Sequence, residues 1–158
     1  MPNTQIQGTD NMNQISFTLE IVSKEEARKY DGIIFSNCCF VRCAIDKEPI
    51  HHKEGFEDAL IVVNELENSK KCSGEFLLFV CACGVADDGG WEKVKVTHKE
   101  KTIEWDIHRD ELYSFQFDKI QYIKSVEKII TELENLDDAI EREPVSVLEP
   151  VLSQNSSY

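Results

Sequence analysis

Apolar and polar residues alternate along Ile15, Phe17, Leu19 and Ile21, with Ser16, Thr18 and Glu20 between them. A period of two marks a strand with one buried face, so a strand is expected over Ile15–Val22. Residues 1–14 are polar and read as a disordered leader. Ser23 with Glu25-Glu26-Ala27-Arg28 fits either a capped helical turn or a charged loop. Gly32 then precedes a β-prone stretch from Ile33 to Ile45, expected to pair with the first strand, with a bulge at Asn37-Cys38.

Beyond the loop marked by Pro49 and His51-His52, the spacing changes. Phe56, Leu60, Val63 and Leu66 recur at intervals of three and four, which predicts an amphipathic helix over Lys53–Glu67. Glu75–Cys81 is the most apolar segment, and its length and flanking glycines predict a buried central strand. Trp91–His98 and Thr102–Ile107 alternate again around Lys99-Glu100-Lys101 and predict a hairpin. Leu112–Phe117 follows as a short strand. Asp118 is placed to cap a helix carrying Ile120, Ile123, Val126, Ile130 and Leu133. The expected fold is α+β, a mostly antiparallel sheet with two main helices packed on it. One domain is expected over 15–143, and residues 144–158 read as a flexible acidic and polar tail.

Composition changes this picture mainly through charge. The chain has 158 residues, 41% hydrophobic and 30% charged, which is ordinary for a globular domain. Its formal net charge is −13. Such a surface opposes phosphate contacts, so neither nucleic acid nor an anionic membrane is expected as a partner. A basic protein partner is favoured instead, because long-range attraction speeds that encounter. Residues 1–15 lack the basic and apolar regions of a signal peptide, and Phe76–Cys83 is too short to cross a bilayer. A cytoplasmic location is therefore expected. Cysteines stand at 38, 39, 43, 72, 81 and 83. In a reducing compartment they stay free, and most sit in apolar runs where cysteine acts as a small hydrophobe.

The most distinctive local motif is Cys81-Ala82-Cys83-Gly84, delivered by the apolar segment into a Gly/Asp-rich turn. Alternate strand positions share a face, so Cys81 and Cys83 with His98 form the alternative reading of a zinc-stabilised or zinc-dependent protein. No second paired-ligand spacing supports it, and Asp87 and Asp88 disfavour a thiolate. No cofactor is expected. From Phe76 to Ile130 the chain resembles a group of small, little-characterised bacterial proteins whose strand ends in C-x-C-G-V-x-x-C-x-G. The matching positions are Cys81, Cys83, Gly84, Val85, Gly90, His98, Trp105, Phe115, Phe117, Gln121 and Tyr122. Asp88 stands where that pattern often has a third cysteine, so the resemblance implies an architecture rather than a metal or redox activity.

Catalytic motifs do not emerge. There is no Walker loop, G-x-S-x-G, G-x-G-x-x-G or H-E-x-x-H. His51-His52 reads as a solvated loop pair, and His98 and His108 flank the hairpin near Trp105, Asp106 and Asp110. Acidic residues cluster in two places. Eight acids against two bases lie between Glu127 and Glu149, and Glu104, Asp106, Asp110 and Glu111 surround the end of the hairpin. Trp105 and Tyr113 lie within the second group and are expected as interface anchors. The expected partner-binding set is Glu104, Trp105, Asp106, Asp110, Glu111, Tyr113, Asp87 and Asp88, with no catalytic residue. The function class this favours is a non-enzymatic immunity protein that neutralises a basic, nuclease-type bacterial toxin by occluding its active site.

Overall fold

The computed structural model describes residues 12–30, 33–57, 59–80, 91–109, 111–137 and 139–144, and in it the chain is α+β with mostly antiparallel pairing. Strands β1 (Ile15–Val22) and β4 (Cys38–Ile45) pair antiparallel from Ile15↔Ile45 to Val22↔Cys38. A two-residue turn at Asp46-Lys47, both at positive φ, folds β4 back onto β5 (Glu48–Pro49). That geometry matches the right-handed twist of the flanking strands. The Asp46 carboxylate accepts hydrogen bonds from Asn13 Nδ2 (2.7 Å) and the Gln14 backbone N–H (2.8 Å). Asn13 in turn exchanges hydrogen bonds with Gln116, so residues 13 and 14 of the expected leader are tied between the two sheets.

The stretch expected as one strand from Ile33 to Ile45 is two. β3 (Ile33–Phe35) pairs with β2 (Arg28–Tyr30), and the chain breaks at Asn37, whose φ of 53° is left-handed. Before β2, Glu26 closes a turn, its backbone N–H donating to Ser23 O and its carboxylate accepting the Ser23 N–H.

The expected helix over Lys53–Glu67 is largely absent. A 3-10 turn at Ile50–His52 and a positive φ at Gly55 precede β6 (Leu60–Ile61), and helix α1 spans only Val63–Ser69. Ala59, Leu60, Ile61, Val62 and Val63 are all buried. Five consecutive residues cannot share one helical face, so the chain runs extended through Leu60–Ile61, buried on both sides, before α1 begins at Val63.

Glu75–Cys81 is also not one central strand. β7 (Gly74–Phe76) is an edge of the second four-stranded sheet, and β8 (Phe79–Val80) pairs with β6 in a separate ribbon. The switch lies at Leu77, whose N–H donates to the Glu65 carboxylate (2.6 Å). The hairpin of β9 (Val94–His98) and β10 (Thr102–His108) forms as expected, and β11 (Leu112–Asp118) extends it. Helix α2 (Lys119–Glu134) starts at Asp118, whose carboxylate accepts the Gln121 N–H (2.9 Å). β12 (Glu141–Pro144) then lies parallel to β4 at the edge of the first sheet.

Helix α2 packs against β1, β10 and β11 and joins the two sheets into one core. Its buried side chains are Tyr122, Val126, Ile129 and Leu133, whereas Ile120 is 65% exposed. The apolar stripe is therefore rotated from the one that the aliphatic residues predict, because Tyr122 is the pivot. Trp105 Nε1 donates to the Tyr122 hydroxyl (3.1 Å), and Ser69 Oγ donates to Leu66 O (2.6 Å). The Ser69 proton is thus spent, so the Tyr122 hydroxyl donates to Ser69 Oγ (2.7 Å). This relay satisfies the polar atoms of all three buried side chains. Burial pushes the Tyr122 phenol well above its usual pKa despite both hydrogen bonds.

Of the cysteines among the described residues, Cys38, Cys39 and Cys43 are buried and Cys72 is exposed. Burial pushes the Cys43 thiol far up and removes its thiolate character. Thiol labelling of the native chain, read by peptide mass spectrometry, should modify Cys72 promptly. Cys38, Cys39 and Cys43 should react only after unfolding. Cys81 and Cys83 lie outside the described residues.

Candidate protein-binding face

Alternation along β10 sorts the expected partner-binding residues. Ile103, Trp105 and Ile107 point into the core, and Glu104, Asp106 and His108 point outward. On β11 the outward neighbours are Gln116 opposite Glu104, Ser114 opposite Asp106 and Leu112 opposite His108. On β9 Lys95 stands opposite Asp106 and Thr97 opposite Glu104, and on β7 Glu75 stands opposite Lys95. The outward face thus carries a cross-strand row Glu75–Lys95–Asp106–Ser114, with alternating charge in its first three positions.

Fixed contacts hold this face. Asp106 Oδ1 accepts the Ser114 hydroxyl (2.7 Å), and Lys99 Nζ lies 2.9 Å from a Glu104 carboxylate oxygen. Exposed ion pairs of this kind contribute little stability, about 0–1 kcal/mol, and so leave the charges available to a partner. A shallow groove of about 370 Å³ runs along the face, lined by Glu75, Glu92, Lys93, Lys95, Asp106, His108 and Leu112. Leu112 is 53% exposed and is the apolar element at its end.

Two of the expected anchors are not on this face. Trp105 is fully buried, packing edge-on against Phe79, Phe117 and Tyr122. Tyr113 shares the inward register of Ile107. Its ring packs edge-on against Phe56 at 5.3 Å, and its hydroxyl donates to Glu54 O (3.3 Å). Both aromatics are structural, because a strand that exposes Glu104 and Asp106 must turn the intervening residue inward. Glu111 is exposed at the β10–β11 turn, where its carbonyl accepts the Arg109 N–H (3.0 Å). Asp87, Asp88 and Asp110 lie outside the described residues.

For the alternative metal reading, Cys81 and Cys83 also lie outside the described residues. His98 Nε2 donates to the Ser69 carbonyl (2.8 Å), which fixes that nitrogen as protonated and ties the ring to the end of α1. Among the described residues no group of three or more His, Cys, Asp or Glu is placed to hold a metal ion.

Sequence reasoning passed over Glu75, Lys95 and Leu112 as members of the face. The alternation of Lys93, Lys95 and Thr97 with Val94 and Val96 held a readable signal for Lys95. The exposure of Leu112 had none, because a leucine in a strand reads as core. It also passed over a concavity on the first sheet. There Arg42 Nε donates to Glu20 (2.8 Å) and Arg42 Nη1 to Ala59 O (3.1 Å), with His51 beside them. His51 is not a solvated loop residue. It is half-buried in the 3-10 turn, and its Nδ1 is buried without a hydrogen-bond partner.

Burial, followed by the Arg42 and His52 charges, pushes the His51 pKa below its usual value of 6.5, against a smaller opposing effect of Glu20. Below that usual value the unfolded chain binds a proton that the folded chain resists. Stability is therefore present above it and falls as pH drops through it. Thermal melts should show this decline on the acidic side of about pH 6.5, and His51→Gln should flatten it.

Compared with known proteins, the chain matches no family model, no curated protein and no solved structure. No helix among the described residues is long and apolar enough to cross a membrane.

Proposed function

We propose that this protein is a stoichiometric binding protein rather than a catalyst, and that it neutralises a basic, nuclease-type bacterial toxin by covering its active site. The observation that carries the reading is the outward face of the sheet β11-β10-β9-β7. Glu75, Glu104 and Asp106 stand on its strands, with Glu92 lining the groove beside them and exposed Leu112 at one end. A toxin that cleaves nucleic acid binds phosphate through Lys and Arg. An inhibitor carrying net charge −13 meets that surface by attraction at long range. Lys93 and Lys95 among the acids give the face register, since a uniformly cationic patch does not match every position. Leu112 supplies an apolar contact of the kind that interface centres require.

The test is co-expression with the basic C-terminal domain of a large secreted protein encoded beside this chain. Rescue of cells from that domain, and co-purification at one-to-one stoichiometry, are the expected results. Rescue without a complex, or turnover of the domain by catalytic amounts of this chain, would overturn the reading.

A further inference from the structure

The concavity on the first sheet is separate from that face. It has a volume of about 650 Å³, within the range of small-molecule sites. Outward residues of β1 and β4 (Thr18, Glu20, Arg42 and Ala44) form its base, and Pro49, His51 and Glu57 wall it. The Glu20–Arg42 pair is part of that base, with Glu20 also 3.5 Å from Arg28.

Two lining residues differ from that pair. Lys29 and Glu57 are both exposed. Among the described residues Lys29 makes no ion pair, and Glu57 accepts only the Gly55 N–H (3.2 Å). Among the described residues the concavity therefore presents one charge of each sign without an ion-pair partner, and apolar surface at Ala44 and Pro49 between the strands and the 3-10 turn. A purely anionic ligand would meet Glu20 and Glu57, and a purely cationic one would meet Lys29 and Arg42.

We propose that this concavity binds a small zwitterionic molecule, its carboxylate held by Lys29, its ammonium by Glu57, and its aliphatic middle against Ala44 and Pro49.

Amide and histidine-ring NMR spectra of the full chain test this with a series of increasing span: glycine, β-alanine, γ-aminobutyrate and ε-aminocaproate. At least one member should shift Ala44 and His51 saturably with a Kd below about 10 mM. Acetate and methylamine, which carry one charge each, should not. Lys29→Gln and Glu57→Gln, both at exposed positions, should each weaken binding tenfold or more while the remaining resonances stay in place. Equal binding of acetate, no saturable shift from any of the four, or affinity unchanged in both variants would overturn the proposal. None of these outcomes bears on the protein-binding face, whose test reads complex formation.

Discussion

Trp105→Ala should cost about 3–5 kcal/mol of folding stability, the range for truncating a large buried aromatic. That is a large share of the 5–15 kcal/mol typical of a whole domain. The side chain is fully buried, and it links β10 to helix α2 and to the β6–β8 ribbon through Tyr122 and Phe79. Its loss opens a cavity at that junction and also leaves the Tyr122 hydroxyl without its donor. Urea denaturation should show a lower midpoint with a nearly unchanged slope. Tyr122→Phe should be milder, about 1–3 kcal/mol, since it removes no ring but strands the Trp105 N–H and the Ser69 hydroxyl as an acceptor. A surface anchor would behave in the opposite way. The variant would then keep its stability and lose only its partner.

Charge reversal of Glu104 and Asp106 to lysine in one variant should slow association with the basic partner roughly tenfold or more at low ionic strength. The dependence of the association rate on salt should become shallower. Both side chains face outward, and the exposed contacts they lose, with Lys99 and Ser114, are worth little to folding. Stopped-flow or surface-plasmon measurements across a salt series would read the effect. An unchanged salt dependence would shift the interface off this sheet. The outer side of α2, where Glu127 and Glu134 are exposed, would then be the next surface to reverse.

Helix α2 and the three strands before it could be read from the chain because their determinants are local. Asp118 precedes a helical period, and Val94 to Phe117 alternates with turn residues at Lys99–Lys101 and Arg109–Glu111. The same alternation placed Glu104 and Asp106 on one face. It also held the correction for Trp105, which lies between them and must point the other way. Composition drew the aromatics toward an interface, and register withdrew them.

The sequence by itself determined the α+β class, the pairing of β1 with β4, the hairpin, the cap at Asp118 and the acidic balance of the surface. Each follows from residues close in the chain or from a simple sum of charge. Tertiary structure alone decided the rest. Whether Leu60 and Ile61 are helix or strand depends on what covers their second side, and here both are buried. The face of α2 that turns inward was set by the hydrogen bonds of Tyr122 to Trp105 and Ser69, partners far away in sequence. The grouping of Lys29, Arg42, His51 and Glu57 around one concavity likewise exists only once β2, β4 and the 3-10 turn are folded together. Period and propensity act over a few residues, whereas burial and site geometry are properties of what the folded chain brings alongside.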